Sequence, residues 1–259
     1  MGRNEEEQFP RMTLGEHLEE LRRRLIYSLI GLGVGMIVAL SFGRSILRLL
    51  QYSYAEAMTD AGLDPQLAFR SLPLPLAMYL GVSLIAGVVI ASPWIFYQLW
   101  MFVSAGLYKR ERRYVVFAAP SSAALFLGGV AFFLFVASKS VIRFFIRTNQ
   151  WLGYKPVVML NDHISFMMHL MLAFGLAFQT PLVVLLLAKM GLVTLKQLTK
   201  YRRHVIVVML IIAAFLTPPD PFSQLALAIP MWLLYELGVL LVWLLRRKER
   251  EALEASETG

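Results

Sequence analysis

Long apolar runs dominate the pattern of the chain; polar segments separate most of them, and two mixed polar and apolar loops are predicted at 43–73 and 138–162. Each run is continuously apolar, whereas the strands of a membrane barrel alternate apolar and polar residues, so helices are the expected spanning form. Most of the runs approach the roughly 20 residues that cross a bilayer as a helix. The predicted spans cover residues 25–42, 74–103, 114–137, 163–187, 204–216 and 222–245. The pattern therefore predicts an all-α integral membrane protein with six transmembrane helices.

The fifth run is too short to cross an ordinary bilayer. His204 to Leu216 is 13 residues, which rise only about 20 Å as a helix, against roughly 30 Å of hydrocarbon. The next segment, Thr217-Pro218-Pro219-Asp220-Pro221, predicts a tight turn with Asp220 as N-cap and Pro221 at the first helical position. We expect short fifth and sixth spans on either side of this turn.

The first run follows three arginines, Arg22 to Arg24, as a cleavable signal would. No convincing small-residue cleavage site comes after it, and five more runs do, so we expect a permanent helix. Thr13 and Glu16 have capping-box spacing, which predicts a short amphipathic helix leading into the span. Gly31 and Gly35 have the spacing typical of close helix packing.

Composition supports a membrane protein, and the charges indicate its orientation. The chain is 58% hydrophobic and 16% charged, whereas soluble domains are about a quarter charged. The net charge of +8 could indicate nucleic-acid binding, but 18 of the 25 Lys and Arg fall on one side of the predicted spans. The positive-inside rule then predicts that both termini are cytoplasmic. Four cations on the other side are an irregularity: Lys139, Arg143, Arg147 and Lys155.

We predict one six-span membrane domain over residues 1–250 and a polar cytoplasmic tail at 251–259. The sequence lacks HExxH, GxSxG and P-loop motifs, and no GxGxxG precedes a strand. It has no cysteine, and its four histidines are scattered. We therefore expect no catalytic site, no metal, no cofactor and no nucleic-acid partner.

Two acids lie at the predicted cytoplasmic ends of spans, Glu20 in HLEELRRR and Glu111 in a basic loop. Spacing alone favours a weak ion pair between Glu20 and Arg24, and a solvated loop acid for Glu111. Taken together, the two carboxylates could form a bidentate site for guanidinium groups, a geometry that arginine suits and lysine does not.

Polar residues also fall within the predicted spans. Glu236, near the middle of the sixth span, is costly unless paired or hydrated, which suggests a function. Gln179 in the fourth span can simply hydrogen-bond a neighbouring helix, and Thr217 and Gln224 flank the proline turn as local caps. A secondary transporter with Glu236 as coupling acid is the alternative function, although no internal repeat supports it. An intramembrane hydrolase lacks a nucleophile motif.

Five motifs in order along nearly the whole chain resemble the TatC family, the receptor subunits of the twin-arginine protein translocase. They are HLEELRRRL at 17–25, SPWIFYQLW at 92–100, GLYKRERR at 106–113, FGLAFQTP at 174–181 and TPPDPFSQLALAIPMWLLYE at 217–236. The resemblance implies a multi-pass protein of the inner (cytoplasmic) membrane, a thylakoid or organelle membrane being the alternative. It also implies export of folded proteins driven by the proton-motive force.

The same resemblance implies partners and sites. The partners are signal peptides with paired arginines, single-span proteins of the TatA and TatB type, and further copies of the chain. Glu20 and Glu111 match the family's arginine-contacting acids, and Gln98, Phe102 and Tyr108 share that surface by motif position. Thr217 and Gln224 match the polar patch where the single-span partners dock. Gln179 stands where the family often has Glu, which argues against a proton role there.

Overall fold

The computed structural model describes residues 14–68, 71–105, 113–154, 157–217 and 220–257. The described part is almost entirely helical. In chain order the helices are α1 Leu14–Asp60, α2 Leu74–Ala105, α3 Arg113–Phe132, α4 Ser138–Trp151, α5 Leu160–Ala177, α6 Thr180–Lys189, α7 Leu195–Lys200, α8 Arg202–Leu216 and α9 Pro221–Glu257.

The first span extends well beyond its predicted end at residue 42. Helix α1 has 47 residues and is about 70 Å long at 1.5 Å per residue, more than the whole bilayer with its headgroups. The prediction that residue 43 begins a mixed loop is therefore wrong as far as Asp60. Leu50, Tyr54, Ala57 and Met58 recur at helical spacing and are buried, so this extension is an amphipathic helix.

The third span is extended in the same way. A π-helical turn, Phe133–Ala137, connects α3 directly to α4, and the predicted loop from residue 138 is helical to Trp151. Val141, Ile142 and Ile146 form the buried face of α4. Hydropathy did not predict the extensions of the first and third spans, because both extensions are amphipathic.

Two short strands link the segments that follow these extensions. Strand β1, Leu67–Ala68, pairs in parallel with β2, Val158–Met159, with Leu67 opposite Val158. The end of α1 also packs on α4 through a 2.9 Å hydrogen bond between the hydroxyls of Ser53 and Ser138. We call this end of the bundle the cap; it comprises α1 from residue 43 onward, β1, α4 and β2.

The predicted fourth span is built from α5 and α6, with a break at Phe178 and Gln179. Pro181 at the start of α6 has no amide hydrogen to continue the α5 hydrogen-bond ladder, which accounts for the break. Helix α5 is central to the core. Its fully buried side chains Ile164, Met167, Leu170 and Phe174 pack against α3 and α9.

The fifth helix is short, as predicted. Within the described residues five helical segments are long and apolar enough to cross a membrane, and α8, with 15 residues, is not among them. The sixth span is not short, contrary to expectation: α9 runs from Pro221 to Glu257, and its part long and apolar enough to cross a membrane covers Pro221–Arg247. The Asp220 carboxylate accepts a 2.6 Å hydrogen bond from the Ser223 amide, as expected for the predicted N-cap.

Helices α1 and α2 cross at a point where only glycine fits. A Cβ at Gly35 would lie 2.6 Å from the Gly87 carbonyl oxygen, and one at Gly87 would lie 2.8 Å from the Met36 backbone. At Gly31 a Cβ would meet the Trp94 ring. The glycine spacing in the first span therefore serves helix packing.

Candidate functional site

Glu20 lies on the face of α1 that approaches the C-terminal end of α2. Its carboxylate accepts a 2.7 Å hydrogen bond from Arg24 Nε and a second hydrogen bond from Arg23. The Glu20 side chain is only 13% exposed, whereas that of Arg23 is 56% exposed. The expected ion pair with Arg24 is therefore present, and it is largely covered from solvent.

Arg24 links Glu20 to the second helix. Its Nη1 donates a 3.0 Å hydrogen bond to the side-chain oxygen of Gln98, which is buried on α2. One guanidinium is thus held between a carboxylate on α1 and an amide oxygen on α2. Both partners are hydrogen-bond acceptors, and two edges of the planar guanidinium are used.

Phe102 lies one helical turn beyond Gln98, at the same end of the bundle, which we call the Glu20 end. Its ring contacts the His17 ring at a centroid distance of 4.7 Å. The structure therefore brings together three of the residues predicted for a shared surface: Glu20, Gln98 and Phe102. Glu111 and Tyr108, predicted for the same surface, lie outside the described residues.

Two residues of this cluster had no predicted role in the site. Arg24 was considered only as an ion-pair partner of Glu20, and His17 only as one of four scattered histidines. Helical spacing could have identified both, because His17, Glu20 and Arg24 are three and four residues apart and so share one face of α1.

The Glu20 carboxyl precedes the predicted start of the first span at Leu25. Burial on its own raises the pKa of Glu20, but the hydrogen bond and charge of Arg24, together with those of Arg23, outweigh it, and the pKa is lowered from its usual value. The group is therefore a carboxylate at neutral pH. A carboxylate can accept hydrogen bonds from arginine through both of its oxygens.

Gln179 makes a hydrogen bond between helices. Its Nε2 donates to the Ser122 carbonyl oxygen on α3 at 2.9 Å. The Ser122 hydroxyl in turn accepts a 2.8 Å hydrogen bond from Trp100 Nε1 on α2. Gln179 therefore connects α3 to the start of α6. This is the hydrogen bond to a neighbouring helix that was considered for it, rather than a proton role.

Thr217 and Gln224 both make local hydrogen bonds near the proline turn. The buried Thr217 hydroxyl donates to the Ala213 carbonyl at 2.9 Å, at the end of α8. Gln224 Nε2 donates across to α8, to the Leu210 carbonyl at 2.9 Å. Thr217 thus caps the end of α8, and Gln224 connects α9 to α8.

Glu236 is paired, and it lies near one end of the hairpin. Its carboxylate accepts a 2.7 Å hydrogen bond from Arg202, the first residue of α8. Glu236 lies near the middle of the span Pro221–Arg247, as predicted, and it is level with the beginning of the short helix α8. From Pro221 to Glu236, α9 rises only about 23 Å. The transporter alternative rested on an unpaired acid within the membrane, and Glu236 is paired with Arg202.

The described residues contain no group of three or more His, Asp or Glu side chains placed to hold a metal ion. The Glu20 cluster instead holds the guanidinium of Arg24 between two acceptors. Comparison with known proteins identifies the family of the chain. The family model described as Sec-independent protein translocase protein (TatC) matches residues 16–230.

The chain belongs to the TatC family.

Named relatives support this assignment over nearly the full length of the chain. The Sec-independent protein translocase protein TatC of Koribacter versatilis is 36% identical over 251 residues, covering 95% of this chain and 92% of the relative. The protein of the same name from Aquifex aeolicus is 35% identical over 245 residues, covering 94% of this chain and all of the relative.

A solved structure agrees with the fold. The crystal structure of a twin-arginine translocase receptor TatC in DDM superposes with a TM-score of 0.77 at 34% identity. The match covers 87% of this chain and 99% of that one. The prediction of an all-α membrane protein with six transmembrane helices is confirmed, and this TatC-family chain is a multi-pass component of a protein translocase.

Proposed function

We propose that this chain is the signal-peptide receptor of a twin-arginine translocase in the cytoplasmic membrane, with both termini in the cytoplasm. Family membership supports the translocase role. The bias of Lys and Arg toward the Glu20 end supports the orientation. The signal's paired arginines bind at Glu20, and Gln98 and Phe102 complete this part of the surface.

The observation that carries the proposal is the Arg24 guanidinium between Glu20 and Gln98, at 2.7 and 3.0 Å. The cluster already holds an arginine side chain through two helices, so its acceptors are placed for guanidinium. A signal's arginines replace Arg23 and Arg24 on the Glu20 carboxylate. Glu111 and Tyr108 contribute from the adjacent loop, by their match to the family motif.

An apolar groove beside the Glu20 end suits the apolar part of the signal. Its volume is 410 Å³, and it is lined by Trp100, Phe117, Leu182 and Leu185 from α2, α3 and α6. Trp100 is two residues, or about 200° of helix, from Gln98, so the groove lies on the opposite face of α2 from Arg24. The signal therefore passes around the end of α2 and approaches Gln179.

Partner helices of the TatA and TatB type dock on the α8–α9 hairpin at Thr217 and Gln224. The hairpin supports this because α8, at 15 residues, is about 23 Å long, shorter than the hydrocarbon core, so the bilayer thins around it. Further copies of the chain join the complex, and the proton-motive force drives export of the folded passenger.

Crosslinking of a twin-arginine signal peptide in membranes tests the proposal. Wild type is compared with Glu20→Ala/Glu111→Ala, and the peptide with its Lys-Lys version. Glu19→Ala is the matched control, because Glu19 is the neighbouring acid and is exposed. We expect crosslinks to be lost in the double variant and with the Lys-Lys peptide, and retained in the control. A double variant that still distinguishes Arg-Arg from Lys-Lys would contradict the proposal.

A further inference from the structure

The cations of the cap, on the opposite side from Glu20, are only partly neutralised. Lys139 pairs with Glu56 at 2.7 Å, and Arg143 with Asp60 at 2.7 Å. Lys155 lies outside the described residues. Arg147 is exposed and has no carboxylate partner in the described part of the chain. The irregular positive charge is therefore neutralised at Lys139 and Arg143 but not at Arg147, one turn beyond Arg143 on α4.

Arg147 lines a groove on the surface of the cap. The groove has a volume of 540 Å³ and lies between one face of α4 and the beginning of α9. Ser140 and Thr148 add hydroxyl groups beside Arg147. Phe144 and Phe222 form an apolar wall, with their rings stacked at 3.8 Å. The groove thus has a cationic, hydroxyl-bearing part and an apolar part.

The groove lies at the depth of lipid headgroups. Phe222, in the wall of the groove, is the second residue of α9 and the first residue of the predicted sixth span. It therefore lies where that span meets the headgroups, about 35 Å along α9 from the predicted inner end of the span at Leu245. Trp151, at the edge of the groove, is 83% exposed, as is typical of aromatic residues at the membrane interface.

We propose that this groove binds a phospholipid, with its phosphate on Arg147 and the upper part of an acyl chain against Phe144 and Phe222. A phosphodiester is an anion that the planar guanidinium can bind through two parallel hydrogen bonds. The Ser140 and Thr148 hydroxyls are further donors. A free inorganic anion would contact only the cationic part of the groove, whereas a phospholipid would contact both the cationic part and the apolar wall. The lipid belongs to the outer leaflet if the orientation proposed above holds; binding itself does not depend on it.

Quenching of Trp151 fluorescence tests the proposal on the full-length protein in detergent. The probe is phosphatidylglycerol brominated near the headgroup end of its chains. The Trp151 contribution is isolated as the difference between each protein and its Trp151→Phe version. We expect Arg147→Gln to weaken binding roughly tenfold, because a charge-assisted hydrogen bond is lost. Arg147→Lys should bind the lipid with an affinity between those of the wild type and Arg147→Gln, since it keeps the charge but loses the planar guanidinium.

Arg48→Gln is the matched control. Arg48 is an exposed arginine beyond the predicted first span, on the same side of the membrane as Arg147, and this substitution should leave the quenching unchanged. Brominated diacylglycerol, which has no phosphate, should quench weakly. The proposal is overturned if Arg147→Gln binds phosphatidylglycerol as tightly as the wild type does, or if Arg48→Gln loses as much affinity as Arg147→Gln. It is also overturned if brominated diacylglycerol quenches Trp151 as strongly as brominated phosphatidylglycerol. Displacement of the lipid by an equal concentration of inorganic phosphate would also overturn it, by identifying a free-anion site.

Discussion

Arg24 on α1 donates a 3.0 Å hydrogen bond to the side-chain oxygen of Gln98 on α2, while its Nε donates to Glu20. The proposed receptor for the signal's arginines is therefore filled by an arginine of the same chain. A signal peptide must compete with this internal ligand. Its observed affinity is then its intrinsic affinity reduced by the fraction of time for which Glu20 is free.

Removal of the internal ligand should tighten signal binding. We expect Arg24→Gln to increase affinity about three- to tenfold, the range given by a partly covered ion pair. Arg-Arg and Lys-Lys peptides should gain by the same factor, because both compete with the same side chain. Titration of labelled peptides into the purified protein measures this. Arg22→Gln is the control, since it removes the same charge from an exposed neighbour. Weaker binding by Arg24→Gln would instead assign Arg24 to positioning Glu20.

Signal binding should be insensitive to pH across the neutral range. The Arg24 and Arg23 contacts outweigh the effect of burial and hold the pKa of Glu20 below the usual value for a glutamate, so the carboxylate stays ionised as the pH falls from 8 to about 5. Binding, and the stability contributed by the ion pair, should decline only as the pH falls through this lowered pKa. Affinity measured over this range checks the expectation. A decline centred between pH 6 and 7 would show that another group controls binding.

The close crossing of α1 and α2 should be sensitive to a single methyl group. Gly87→Ala places a Cβ 2.8 Å from the Met36 backbone, so the helices must separate, at a cost of about 1–3 kcal/mol. Gly81→Ala on the same helix is the control, because nothing lies within 4 Å of its Cβ. It should be neutral, or stabilising by up to about 1 kcal/mol through helix propensity. Thermal unfolding in detergent compares them, and equal effects would contradict the described crossing.

The ion pair between Arg202 and Glu236 should contribute modestly to hairpin stability. The side chains are 49% and 27% exposed, so we expect Glu236→Gln to cost no more than about 1 kcal/mol. The exchange Arg202→Glu/Glu236→Arg should recover part of that loss. Thermal unfolding measures both variants. Failure of the exchanged pair to recover any stability would show that Glu236 acts through something other than Arg202.

Sequence alone predicted the parts of the fold that depend on continuous hydrophobicity. The six spans followed from the apolar runs, and the short fifth helix from the length of one run. The helical cap did not follow, because Leu50, Tyr54, Val141 and Ile146 are buried by contacts between helices that are distant in sequence. Amphipathic helices of this kind have an ordinary mixture of polar and apolar residues, so hydropathy alone does not separate them from loops.

The site was predictable only in part. The contact of Arg24 with Gln98 joins residues 74 positions apart, and no local pattern reports it. Glu20 was a candidate from its position before the first span, and the resemblance to the family implied its role and supplied Gln98 and Phe102. The partner of Glu236 could have been found from the sequence, because Arg202 and Glu236 are both 17 residues from Pro219. A tight turn there places them at the same level of an antiparallel hairpin.

The role of Glu20 is tested most directly by the preference for Arg-Arg over Lys-Lys signal peptides. Affinities of both peptides are measured for the wild type and for Glu20→Gln, with Glu19→Gln as control. We predict that the preference falls at least several-fold in Glu20→Gln, because the bidentate pairing with guanidinium is lost, and that Glu19→Gln keeps it. An undiminished preference in Glu20→Gln would contradict the assignment of Glu20 as the arginine receptor.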